Sequence, residues 1–425
     1  MQIELQSPLR RFVFAGACLL VVGFYLPFAG RAYLAAHLAA KPDFPDMQRA
    51  IRLEPSNAEY RALLGRYLAL SGASIDEAIS EFRTAVHLNP YESLYWLDLA
   101  SAYQVAGRID EQAQSVEQAV EADPTTPNVA WVAANFFLIQ GNLGKALSCF
   151  RTVLANDPNA VDHALRLCWR ATGDVNKIFD QALPRRTDLY LSFLGLLVSK
   201  QEVVPAESAW DHLIGLRQTF PPKVAFPYFQ LLIAKQEVTA AKTAWQQLAQ
   251  IDGEIQPYLP SHENLVVNGG FEETLLNGGF DWWYQTNPHA ALAIDTDQFY
   301  GGTRSLSVTF DGRNSPDAGI AQFIPVKPDT DYEFSAESKT QDIDSASGPR
   351  FAMTDAYTTT VSYVLTDDLL GTNPWHKQHA RFHTGPTTNL LFLNVVRQPA
   401  APLIRGKLWI DDVRLVEASD QGLGR

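Results

Sequence analysis

Four prolines, Pro55, Pro90, Pro124 and Pro158, recur at separations of 35, 34 and 34 residues. Each closes a similar string, such as Ala85-Val-His-Leu-Asn-Pro90 and Ala119-Val-Glu-Ala-Asp-Pro124. Within each period a glycine, Gly72, Gly107 or Gly141, lies 17 or 18 residues before the next proline. Helix, glycine turn, helix, proline stop is the reading that this punctuation supports. One such pair cannot bury its own apolar face, so neighbours must stack into a solenoid. Its product is extended surface rather than a closed pocket, which favours a scaffold over an enzyme.

Composition sets limits on partners. The formal net charge of -13 argues against non-specific nucleic-acid binding, which needs a cationic face to displace counterions. Cys18, Cys149 and Cys168 have no zinc-ligand spacing and are expected to be free thiols, the last two buried in neighbouring helices. From Phe12 to Gly30 run 19 residues without a charge, which as a helix nearly match a bilayer core. Arg10 and Arg11 before it and Arg31 after it favour a cytoplasmic N-terminus, with the rest exported. A cleaved signal peptide competes with this reading, but its apolar core would be shorter, and no small-x-small site follows.

The second period carries Trp96, Leu99, Ala100, Tyr103, Gly107, Ala119 and Pro124 at offsets that resemble the tetratricopeptide repeat. The third adds Phe137, Gly141, Ala146, Phe150 and Pro158, and the first has Leu64, Gly65, Gly72, Ala78, Phe82 and Ala85. Beyond about residue 160 the pattern decays, yet Lys200-Gln-Glu-Val203 returns as Lys235-Gln-Glu-Val238, and Ala209-Trp210 as Ala244-Trp245. Helical repeats are therefore expected over 41–255, after an N-terminal segment, 1–40, that holds the membrane helix. The resemblance implies a protein partner. The aromatics Tyr95, Trp96, Tyr103, Trp131, Phe136 and Phe137 are expected to pack between repeats.

At Gln256-Pro-Tyr-Leu-Pro260 the composition changes, and a linker is expected over 256–262. Short alternating runs follow, the clearest being Arg304 to Phe310, with others at 332–336, 390–396 and 407–411. They predict an all-β sandwich of jelly-roll type over 263–417, then a tail, 418–425. The fold class is thus multidomain: a transmembrane helix, an all-α solenoid and a β-sandwich. Asn264-Leu-Val-Val-Asn-Gly-Gly-Phe-Glu272, Gly302-Thr-Arg-Ser-Leu306, Gln322 to Pro328 and Trp409-Ile-Asp-Asp-Val-Arg-Leu415 resemble the carbohydrate-binding modules of families four and nine, within the galactose-binding-like sandwiches.

That resemblance implies a glycan ligand, and sugar recognition asks for flat aromatic faces beside amides, carboxylates or arginines. Candidate contacts are Trp282, Trp283, Tyr300, Arg350, Tyr357 and Trp375, with Asp355 and Gln378 as further polar groups. Trp282 and Trp283 would face opposite ways on a strand, and the resemblance implies a core aromatic in this stretch, so one of them is expected in the core and the other as a platform. The resemblance also implies a structural calcium at Glu272, Asp411 and Asp412, completed by backbone oxygens. His376, His379 and His383 would scatter over both faces of a strand, so no metal is expected there. No Gly-x-Ser-x-Gly elbow, phosphate loop, His-Glu-x-x-His or identifiable carboxylate pair is present, so no enzyme is expected. The functional expectation is a membrane-anchored, non-catalytic scaffold in which the sandwich binds a glycan and the repeats a protein, with the bulk of the chain periplasmic or extracellular. The alternative is a structural adaptor whose sandwich no longer binds sugar.

Overall fold

The computed structural model describes residues 8–41, 43–72, 74–400 and 402–418; of the expected tail, all but Ala418 lies outside them. The chain divides into two compact units, 1–184 and 185–425.

The first unit is helical: α1 (Pro8–Ala39), α2 (Phe44–Leu53), α3 (Ala58–Leu70), α4 (Ile75–Leu88), α5 (Ser93–Val105), α6 (Ile109–Ala122), α7 (Pro127–Ile139), α8 (Leu143–Asn156), α9 (Val161–Thr172) and α10 (Val175–Gln181). Gly72, Gly107 and Gly141 all adopt left-handed φ, +70°, +70° and +73°, between the two helices of a pair. Only glycine enters that region without steric cost, which is why the period keeps it there. The proline punctuation has its own cause. Before each of three prolines a side chain, Asn89, Asp123 or Asp157, accepts the N–H two residues on, from Tyr91, Thr125 and Asn159. This local turn ends one helix and starts the next.

Gly65 on α3 lets the Phe82 ring of α4 approach until any β-carbon would collide with it. Trp131 meets Phe150 edge-on at 5.9 Å, Tyr103, Phe136 and Phe137 are buried, and Tyr95 and Trp96 pack against the core. The aromatics that punctuate the repeats are therefore packing residues. Cys149 and Cys168 are free and buried, and burial pushes their thiols up to about 11 and about 12. Helix α1 is long and apolar enough to cross a membrane and exposes its apolar side chains over its first part. It runs on without a break past the expected segment, 12–30, and its last turns join the array. Ala35 and Ala39 are buried with Met47, Ala50 and Ile51 of α2, and Arg31 donates to the Leu53 carbonyl at the end of α2.

The second unit begins with two more helix pairs, α11 (Thr187–Ser199) with α12 (Val203–Ile214) and α13 (Phe226–Ala234) with α14 (Val238–Ile251). Their repeated Lys-Gln-Glu-Val places Gln201 and Gln236 at φ +61° and +67°, in the turn position held by glycine earlier in the array. The repeat decays in sequence because a strained glutamine has replaced its most legible residue.

After the helices, ten strands lie among the described residues: β1 (Trp283–Tyr284), β2 (Ala290–Asp295), β3 (Ser305–Asp311), β4 (Asp317–Pro325), β5 (Asp331–Asp344), β6 (Pro349–Asp355), β7 (Ser362–Leu365), β8 (Gly371–His383), β9 (Leu390–Arg397) and β10 (Arg405–Glu417). They form two antiparallel sheets, ordered β1-β4-β9-β6-β7 and β2-β3-β10-β5-β8. Between them Phe271, Trp282, Phe334, Phe351, Leu391 and Leu408 belong to one apolar core. The opening Asn264–Glu272 motif laces onto β10: Leu265 N donates to Leu415 O, Val413 N to Gly269 O, and the Asn264 amide to Val413 O. Gln322 fixes the same segment to β4, exchanging both amide groups with the backbone of Val267.

The expected linker is not a free tether. Residues Gly253–Tyr258 form a 3-10 turn, and Tyr258 donates to Thr274 O. Trp245 of α14, 1% exposed, donates to Tyr258 O and meets Phe280 edge-on at 6.1 Å. A β-carbon on Gly278 would strike Phe226, and one on Gly279, at φ +61°, would strike Trp245. Tyr357 of the β6–β7 turn donates to Ile233 O of α13 at 2.9 Å. The last repeats and the sandwich thus share a packed seam.

Beside that seam Asp281 is fully buried; one carboxylate oxygen accepts Leu276 N and the other has no partner. Burial pushes its pKa up to about 7. An unfolded aspartate titrates near 3.9, so between about pH 4 and pH 7 the folded chain holds the extra proton, and stability falls as pH rises. Asp281→Asn should remove this cost. Relative to the parent, it is expected to gain on the order of 2 kcal/mol between pH 5 and pH 8, read as the difference in denaturant unfolding at the two pH values.

Candidate functional site

Alternation along a strand sends every second residue outward, and pairing decides which outward residues become neighbours. On the β1-β4-β9-β6-β7 sheet the register aligns Trp283 with Ala321, Ala321 with Asn394, and Asn394 with Ala352. The adjacent row aligns Phe323 with Phe392 and Phe392 with Thr354. Trp283 meets Phe323 edge-on at 5.7 Å, and Phe323 lies 5.1 Å from Phe392. Small residues in the middle and aromatics along the side leave a trough. Its cavity, about 440 Å³, is lined by Trp283, Tyr284, Gln285, Phe323, Phe392 and Asn394, with Asp317 as its acid. The Trp283 indole donates to Gly279 O, which holds the ring in place.

Of the six expected glycan contacts, this trough receives one, Trp283. Trp282 is 2% exposed, stacks on Phe271 at 5.2 Å and donates to Asn268 O, so it is core and no platform. Tyr357 is spent on the seam with α13, and burial pushes its phenol up to about 12. Arg350 stands on the same sheet, aligned with Val396, but is held by Asp368 at 3.5 Å and lies outside the trough. Tyr300 and Trp375 do meet, with rings 6.1 Å apart, at the other sheet. Asp355 accepts from Thr388 in the interior, and Gln378 donates its amide toward His376. Gln285, Phe323, Phe392 and Asn394 were missed. Phe323 could have been found as an aromatic in the outward phase of β4; β9 is apolar but for Asn394 and Arg397, which fall in opposite phases and give no orientation.

The three acids expected to hold calcium do other work. Glu272 accepts the N–H of Thr303 and Arg304 and the Thr303 hydroxyl. Burial acts to raise its carboxyl, but these hydrogen bonds outweigh it and hold the group below its ordinary range. Asp411 accepts the N–H of Tyr300, Gly301 and Asp412, while burial raises it. Asp412 pairs with Arg414. Calcium needs six to eight oxygen ligands with free lone pairs. Here Glu272 and Asp411 each already accept three hydrogen bonds of the about four a carboxylate can take, and among the described residues no group of three His, Cys, Asp or Glu is gathered. These bonds strap the 300–304 turn across the sandwich. On β8, His379 pairs with Glu333, and His383 with Asp329 and Asp331.

Residues 263–402 match a family model described as a carbohydrate binding domain. Among solved structures, one described as "CBM4 structure and function" is 12% identical and covers 36% of this chain and 99% of that one, with a TM-score of 0.29. The CBM22-1 xylan-binding domain of Paenibacillus barcinonensis Xyn10C is 18% identical, covering 36% and 94%, with a TM-score of 0.26. On the helical side, a MamA protein is 16% identical, covering 41% and 94%, with a TM-score of 0.30. Among the described residues the chain thus has an apolar N-terminal helix, tetratricopeptide-like helix pairs and a C-terminal two-sheet sandwich like those of family-four and family-nine carbohydrate-binding modules.

Proposed function

We propose that the trough on the β1-β4-β9-β6-β7 sheet binds a glycan, that the repeats engage a protein, and that α1 anchors both at the cytoplasmic membrane with the bulk of the chain outside. The work fitted by this combination is to hold an envelope or extracellular polysaccharide near its assembly or export machinery. The observation that carries it is the trough: Trp283, Phe323 and Phe392 offer aromatic surface to sugar C–H faces, and Asn394 and Gln285 offer amides to hydroxyls, in a domain matched by a carbohydrate-binding model. The role we propose is non-catalytic; glycoside hydrolysis generally uses two carboxyl groups, and Asp317 is the trough's one acid among the described residues.

The protein arm rests on a periodic strip. Leu70, Val105 and Ile139 end three equivalent helices, 35 and 34 residues apart, and are 89%, 73% and 81% exposed. Glu77, Asp110 and Glu111 begin the following helices, beside Asp76 already paired with Arg108, so a partner segment with apolar residues and cationic flanks would suit it. Affinity electrophoresis of the full chain through gels cast with neutral and acidic polysaccharides tests the glycan arm. Retardation by at least one polymer is expected; mobility unchanged in all of them would leave the structural adaptor as the better reading.

A further inference from the structure

Strand β1 is two residues long and β2 is six, so along this side the two sheets are left unsealed. A second cavity of about 570 Å³ opens there, between Leu275, Leu292, Ile294 and Leu306, with Glu273, Thr274 and Thr286, all exposed, and Arg304 as its polar lining. Leu306 is 1% exposed and belongs to the sandwich core, and Leu275 and Leu292 pack against that core. This cavity shares Tyr284 and Gln285 with the trough, so one side chain pair walls both. The trough offers aromatic and amide groups along its length, whereas the cleft sets a leucine and isoleucine side behind its polar residues.

A sugar hydroxyl finds partners at the exposed polar residues of the cleft, but against its buried leucine side each hydroxyl that loses water finds none. An alkyl or acyl group gains, and by a predictable increment for every methylene removed from water. Resting on the glycan reading above, we infer that the bound ligand is a glycan with an apolar substituent: the sugar lies on Trp283 and Phe392, and its alkyl or acyl chain passes Tyr284 into the cleft beside β2. Both cavities are of a size that takes small ligands.

Hydrogen–deuterium exchange of the full chain in lipid nanodiscs, titrated with methyl, butyl and hexyl β-glucoside below micelle concentrations, tests this. Segments 273–276 and 284–295 should gain protection with the butyl and hexyl probes and not with the methyl glucoside. The half-protecting concentration should fall roughly fourfold per buried methylene. Leu275→Glu should abolish the chain-length dependence at the cleft while the sugar still protects 319–323 and 391–395; Leu292→Glu gives the same test from the strand side, with β10 protection reporting that the fold persists. Equal protection by all three glucosides, or a chain-length dependence that survives both variants, overturns the inference while the glycan face stands. Protection at the cleft by hexanol but by no glucoside also overturns it, and polysaccharide gels that fail to retard the chain then remove the underlying reading as well.

Discussion

Replacing Trp245 by alanine is expected to lower the stability of the second unit by about 3–5 kcal/mol, a large fraction of the roughly 5–15 kcal/mol that holds a typical domain folded. The indole is 1% exposed, and its N–H donates to the Tyr258 carbonyl, so truncation opens a cavity and orphans a buried acceptor together. Phe226, Phe229 and Phe280 surround it at 5.1–6.2 Å between ring centroids, and the cavity cannot collapse without moving both the helices and the 274–280 loop. Denaturant unfolding followed by circular dichroism at helix and sheet wavelengths would measure it. Gly279→Ala should destabilise as well, since φ is +61° and the new methyl meets the Trp245 ring. In the double variant the methyl enters vacated space, so the two effects should sum to less than their parts; strict additivity would refute the direct contact.

Trp282→Ala and Trp283→Ala should separate cleanly, although the residues are neighbours. The first removes a core side chain that stacks on Phe271, and is expected to cost about 3–5 kcal/mol of stability. The second removes a half-buried ring at the edge of the trough, and should leave the unfolding midpoint nearly unchanged while weakening glycan binding by about 2 kcal/mol or more, roughly thirtyfold. Phe392→Ala should weaken binding in the same direction. Measurement of both properties on each variant, by thermal unfolding and by gel retardation, checks the split. A Trp283 variant with full retardation would place the ligand elsewhere.

The helical half was legible because its signals are local. A glycine at φ +70° and an Asx-Pro turn act within a few residues, so their spacing alone reports the repeat. Gln201 and Gln236 show the limit: they hold the same backbone conformation at a steric cost, and nothing in their chemistry announces it. The sandwich was legible from alternation and from its opening and closing motifs. Those motifs meet as neighbouring backbone through Leu265, Gly269, Val413 and Leu415.

The functional face was mostly hidden. Tyr357 has the aromatic ring and hydroxyl of a sugar contact, yet its hydroxyl binds a helix carbonyl contributed 124 residues earlier. Glu272 and Asp411 have the charge of calcium ligands, and in the fold backbone N–H groups from the 300–304 turn bond to both. Which use a side chain finds depends on the groups that folding brings to it.

By itself the sequence determined the helix period, the change to alternating strands, the apolar N-terminal segment and the two ends of the sandwich, because each is written in spacings shorter than one supersecondary unit. Only the tertiary structure decided that Trp283, Phe323, Phe392 and Asn394 share one surface while Trp282 does not. The reason is that β1, β4, β9 and β6 are neighbours in space but not in sequence, and pairing between distant strands carries no local periodicity from which it could be read.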